Sequence, residues 1–294
     1  SNWRATAETF YREDMQGVDW AGIRDHYLRF APHIFYWEDL AELLGEMDGE
    51  LNASHQNPSY HEADPLADAT GVLGLYYDPD HTGKGMKITD VIAGGPADRK
   101  DSPLLPGAVI LAVNDTQIGP DIGIDRLLNR MAGQEVRLSV IPSGGGDAVD
   151  TIITPISTAQ EIALAYQRWV AKRRAMVAEL SEGRLGYIHL SAMKTDPYRT
   201  AYGDLFGLHQ DAEAVVVDIR NNGGGNLHDE LVIMLTGSMD ALNRARDGHI
   251  VTRLPVGRWT KPSILVQNAG SYSDASVFPM LYQMKGIGQI VGDR

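Results

Sequence analysis

The sequence predicts an α/β chain built from three parts: a helical segment, a small β-barrel and a core of βαβ units. Three observations carry this. Between residues 5 and 51, Leu40, Leu43, Leu44, Met47 and Leu51 recur at three- and four-residue steps, the spacing of one helix face. Between residues 70 and 156, short β-like runs are broken by turn signals. Beyond residue 157, apolar strands alternate with helices, as in a sheet covered on both faces. The expected domains are therefore 1–60, 70–156 and 157–294.

The first segment is dense in aromatic side chains, among them Trp3, Phe10, Trp20, Tyr27, Phe35, Tyr36 and Trp37, and Asp19 is placed to cap a helix starting near Trp20. Asn52 to Asp68 is rich in Asn, Ser, His, Pro and Asp, and reads as loop. The barrel strands are expected at Val72–Tyr77, Met86–Val91, Val109–Val113, Val136–Ile141 and Thr151–Thr154, with one helix at Ile124–Met131. In the third part a helix is expected at 158–180. Strands Leu185–Leu190, Ala214–Ile219 and Ser263–Gln267 then alternate with helices Leu227–Leu235 and Ala275–Gln283.

Composition narrows the function. The 294 residues hold 26 Lys+Arg against 39 Asp+Glu, a net charge of −13, which repels phosphate backbones and argues against a nucleic-acid partner. Apolar residues make up 43%, enough for folded cores and against wholesale disorder. No apolar run reaches the roughly 20 residues of a membrane span. The first twelve residues hold no signal-peptide core, so the expected location is cytoplasmic. With no Cys, thiolate nucleophiles, Cys-ligated zinc and iron–sulfur clusters are excluded together.

Two strand-to-helix junctions could hold chemistry. After the strand Val215-Val216-Val217 comes Asn221-Asn222-Gly223-Gly224-Gly225, where glycines allow a sharp turn and leave N–H groups pointing outward. Such a nest stabilises a phosphate or a developing oxyanion, but no Lys-Ser/Thr follows, so it is not a P-loop. A tight turn with packing glycines is the plain alternative. After Ile264-Leu265-Val266 comes Ser271-Tyr272-Ser273-Asp274-Ala275-Ser276. A serine here sits at a helix N-terminus, where free N–H groups favour its alkoxide. Its plain alternative is that Ser273 or Asp274 merely caps the helix. No G-x-S-x-G elbow is present. A serine nucleophile also needs a base. Of nine histidines, His55, in a polar loop beside Ser54, is the candidate. His189, on a strand, reads as structural, and His61, His81, His209, His228 and His249 read as surface residues.

The order of these features resembles a known family. A helical segment ending Gly49-Glu50-Leu51-Asn52-Ala53-Ser54-His55, a PDZ-like segment, Asn-Asn-Gly-Gly-Gly and Ser-Tyr-Ser-Asp follow one another as in the catalytic C-terminal half of the tricorn proteases. These are relatives of the C-terminal-processing serine peptidases. The resemblance implies a crotonase/ClpP-like core with an inserted PDZ-like barrel, and hydrolysis of peptide bonds without metal or cofactor. It implies Ser273 as nucleophile, His55 as general base and Ser54 as its orienting partner. The oxyanion hole would come from the N–H groups of Asp274 and of Gly224, chosen within the glycine run. Gly74 and Leu75 would form a peptide-binding edge in the PDZ-like part. Peptide substrates and assembly into a homo-oligomer are implied as well. The family's orienting Glu lies beyond Arg294, so the core is expected to continue past this chain. Two alternatives stand beside this one: a Ser-Lys peptidase, and an inactive protein that grips peptide tails through its PDZ-like part.

Overall fold

The computed structural model describes residues 2–56, 58–62 and 67–293, so part of the expected loop 52–68 (57 and 63–66) lies outside the described residues. The chain divides into two compact units, 1–67 and 68–294.

The first unit is helical: α1 (Asn2–Thr9), α2 (Trp20–Leu28) and α3 (Trp37–Gly49). Asp19 caps α2 as expected, its carboxylate accepting the Gly22 N–H at 3.0 Å. Met15, Trp20, Met47 and Leu51 form the core. Trp3 and Trp20 lock together, each indole N–H donating to the other's carbonyl at 2.7 and 3.0 Å. Trp3, Phe10 and Tyr27 pack against this core, whereas Tyr11, Phe30, Phe35, Tyr36 and Trp37 are exposed.

The second unit opens with the barrel. Strand β1 (Gly71–Val72) is followed by β2 (Leu75–Tyr77), β3 (Met86–Val91), β4 (Val109–Val113), β5 (Thr116–Gln117), helix α4 (Ile124–Leu127), β6 (Val136–Ile141), β7 (Val149–Ile153) and β8 (Ile156–Ser157). The antiparallel order β2-β3-β4-β6-β7 leaves β2 at an edge, and β1 pairs with β8. Leu73, Ile88, Leu104, Ile110, Leu138 and Val140 fill it. The expected strand 72–77 is split, because Gly74 turns at φ +67°. The expected helix 124–131 stops at Leu127, because Leu128 leaves helical geometry and Arg130 has φ +61°.

Helix α5 (Thr158–Leu180) starts from a capping box in which Ser157 and Gln160 satisfy each other's backbone N–H groups. Beyond it lie β9 (Leu185–His189), α6 (Thr195–Gly203), β10 (Ala214–Asp218), α7 (His228–Thr236), β11 (Ala241–Arg244), β12 (Ile250–Leu254), β13 (Ser263–Gln267), α8 (Asp274–Met284) and β14 (Gln289–Gly292). The sheet is parallel, ordered β14-β13-β10-β9. Its apolar strands pack Val215, Val217 and Leu265 against Leu231, Leu235, Phe278 and Tyr282. The hairpin β11/β12 and the strand β14 were not expected. They are largely exposed and lack the apolar run that marks β10 and β13. Strands β10 and β13 are adjacent and parallel at the centre of the sheet, so the two junctions singled out in the sequence meet at the carboxyl end of its strands.

Candidate active site

The loop after β10 is built by side chains buried at its base. Burial pushes the Asp218 carboxyl up, but hydrogen bonds from Arg220 (3.0 and 2.5 Å) and the Tyr187 hydroxyl (2.8 Å) outweigh it and hold it below the ordinary carboxylate range. Asn222 is completely buried. Its Nδ2 donates to Leu190 O at 2.8 Å, its Oδ1 accepts the Gly224 N–H at 2.9 Å, and its carbonyl accepts the Tyr272 N–H at 2.9 Å. Asn221 and Asn268 exchange further hydrogen bonds at 2.9 Å. The two loops are thus stitched together.

Ser273 stands directly before α8 with φ 58° and ψ −123°. This region is sparsely populated by residues with a side chain, at a cost of about 1–3 kcal/mol. Its hydroxyl makes no capping hydrogen bond to α8. The carboxylate of Asp274 does not cap α8 either: it accepts the Leu227 N–H at 2.8 Å and is hydrogen-bonded to His228 Nδ1. The neighbouring hydroxyls are spent on backbone carbonyls, Ser271 on Ile219 at 2.9 Å and Ser276 on Ser273 at 2.7 Å.

Gly224 (φ +93°) lies against this turn. A Cβ on it would stand 2.7 Å from Ser273 Cβ, 2.7 Å from Tyr272 O and 3.0 Å from Asp274 N, so only glycine fits. Among the described residues, neither the Gly223 nor the Asp274 N–H meets an acceptor. The Gly224 N–H is taken by Asn222.

Ser54 and His55 lie on the first unit, in exposed positions, with Ser54 Oγ 2.5 Å from His55 Nδ1. Gly74 and Leu75 stand at the start of the edge strand β2. Burial raises the Glu161 carboxyl despite the Gly74 N–H it accepts. Leu75 is buried.

His189 is structural: burial lowers its pKa, and its ring nitrogens meet the Tyr166 hydroxyl at 2.7 Å and Arg220 O at 3.1 Å. Two histidines read as surface residues are partly buried and engaged. His209 packs under β9 with Nε2 3.0 Å from Tyr187 O, and His228 binds Asp274. Sequence reasoning also missed Asn222, whose only signal was its place just before the glycine run. Among the described residues, no group of three or more His, Asp or Glu is placed to hold a metal, and no helix is long and apolar enough to cross a membrane.

The fold joins a small antiparallel β-barrel to a parallel α/β core whose two strand-to-helix loops are stitched together. The profile of Peptidase family S41 matches residues 184–294, and those of the tricorn protease C1 and PDZ domains match residues 1–49 and 71–158. By relatives as well as profiles, the chain is similar to part of the tricorn proteases. It is 32% identical over 298 residues to tricorn protease homolog 1 of Streptomyces coelicolor, covering 99% of this chain and 28% of that protein. It is 24% identical over 302 residues to the tricorn protease of Thermoplasma acidophilum, covering 99% of this chain and 27% of that one. A crystal structure of tricorn protease superposes on all of this chain and 29% of its own, with a TM-score of 0.79 at 23% identity, so the fold is shared. The chain therefore spans little more than a quarter of these relatives.

Proposed function

We propose that this chain carries the catalytic site of a serine peptidase acting on oligopeptides through an acyl-enzyme. The observation that carries the reading is the strained turn at Ser273, whose hydroxyl does not cap the helix it precedes and against which the Gly224 loop is pressed. Strain of this kind persists where function needs it.

In the proposed reaction Ser273 Oγ attacks the scissile carbonyl carbon while its proton passes to the imidazole of His55. Ser54 on Nδ1 fixes the tautomer and leaves Nε2 as the base. The tetrahedral oxyanion takes hydrogen bonds from the Asp274 N–H and from the glycine loop. Gly224 is the expected loop donor. Its N–H lies on Asn222 Oδ1 here and would turn to the oxyanion, with the unengaged Gly223 N–H alongside. Collapse breaks the C–N bond, His55 protonates the leaving amine, and water activated by His55 releases the acyl group. Base and nucleophile lie on different compact units, and their pairing is part of the proposal.

Lys285 does not serve as base in this scheme, because it stands at the far end of an eleven-residue helix and so lies about 18 Å along the axis from Ser273. The edge strand β2, with Gly74 and Leu75 at its start, suits the addition of a peptide as an extra strand. Homo-oligomeric assembly, on resemblance, belongs to the same proposal, and the cytoplasmic expectation stays with it. A fluorophosphonate probe followed by peptide mapping tests the reading. Label on Ser273, lost in His55→Ala, supports it, whereas a protein that binds peptides but takes no label is a binding module.

A further inference from the structure

Resting on the proposed serine chemistry, we infer that His228 is a positioning residue: with the Leu227 N–H, its imidazole grips the Asp274 carboxylate and so holds the Ser273 turn and aims the Asp274 N–H. The Asp274 side chain is only 5% exposed. A carboxylate so buried must have its oxygens matched by donors. Leu227 N–H supplies one at 2.8 Å, and His228 Nδ1 supplies the other. An ionised carboxylate only accepts, so Nδ1 carries the shared proton. His228 Nε2 points away, 3.8 Å from Asp229 Oδ1, and the ring stays one-third exposed.

The placement gives this contact its reach. Leu227 and His228 begin α7, two and three residues after Gly225, on the far flank of the glycine loop. The near flank is tied to the same turn by the Tyr272 N–H on Asn222 O. Ser273 therefore sits between two anchors, one on Tyr272 before it and one on Asp274 after it. An unfavourable φ/ψ pair survives only when its surroundings over-determine it. Removing His228 leaves Asp274 Oδ1 without its donor, and the residue that presents the proposed oxyanion N–H loses half of its anchorage. Misplacement by about 1 Å costs on the order of 100-fold in rate. Substrate binding on the barrel and elsewhere on the sheet would be untouched.

The test uses His228→Ala, His228→Asn and His228→Gln, reading the maximal fluorophosphonate inactivation rate and the probe's half-saturating concentration separately, with Tm alongside. Asn carries its amide nitrogen near the place of imidazole Nδ1, whereas Gln carries it near Nε2. The expected result is a rate about 10- to 100-fold slower in Ala and Gln, with half-saturation within about threefold, and recovery in Asn. Equal rates in Asn and Gln would overturn the inference even if Ala fails to fold, and so would a wild-type rate in Ala. If wild-type protein takes no label at Ser273, the serine chemistry falls and this inference with it. Normal wild-type labelling with an unaffected His228→Ala defeats the inference alone.

Discussion

Adding one methyl group to Gly224 is the sharpest local perturbation of the junction. The new Cβ would meet Ser273 Cβ and Tyr272 O at 2.7 Å and Asp274 N at 3.0 Å, and none of these is the far end of a flexible side chain. The residue also sits at φ +93°. The left-handed backbone costs an alanine about 1–2 kcal/mol. Overpacking adds about 1–3 kcal/mol. If the backbone held, Gly224→Ala would therefore lose about 2–5 kcal/mol of stability. The alternative is that the loop lifts off the turn, which converts strain into misalignment and a rate loss of about 100-fold. Gly223→Ala is the internal control: a Cβ there meets nothing within 4 Å, and its φ lies outside the left-handed region. Its stability should stay within about 0.5 kcal/mol of wild type. Urea denaturation and the rate of fluorophosphonate labelling read both variants. Gly224→Ala with wild-type stability and labelling, or Gly223→Ala as the more damaged of the two, would refute the reasoning.

Three further outcomes follow from the same geometry. Arg220→Met strands the buried Asp218 carboxylate and should cost about 3–5 kcal/mol in chemical denaturation. Asp218 has its folded pKa held down, so its contribution is present above the ordinary carboxylate pKa of about 4 and is lost as pH falls through the folded value. Removing Arg220 should therefore move the acid-unfolding midpoint to higher pH, and an unchanged midpoint would contradict the pairing. Ser273→Gly should be more stable than Ser273→Ala by up to about 1 kcal/mol, because glycine relaxes the φ 58° turn, while neither takes the probe. A glycine variant no more stable than the alanine one would show that the turn is not strained.

The strands of the core were legible because burial on both faces leaves continuous apolar runs, as in Val215-Val216-Val217 and Ile264-Leu265-Val266. Helix α5 was legible as an element at 158–180, and the structure adds the capping box of Ser157 and Gln160 that starts it. The hairpin β11/β12 was not, because Asn243, Arg244 and Arg253 face water and show no period. Both junctions could be found from glycines and small polar residues after apolar strands. What distinguishes them from ordinary turns could not. The φ of Ser273, the diversion of the Asp274 carboxylate to His228 across 46 residues and the burial of Asn222 are tertiary facts with no local signature. The aromatic run Phe35-Tyr36-Trp37 carries no sign in the sequence of which way its rings face, and all three are exposed.

The central claim is that Ser273 is a nucleophile served by His55. Its direct test is mass-spectrometric mapping of the fluorophosphonate adduct on wild-type protein and on His55→Ala. The account predicts a single adduct on Ser273 in the wild type and its loss in the variant. An adduct on Ser271 or Ser276, whose hydroxyls are already given to backbone carbonyls, or undiminished labelling without His55, would contradict it.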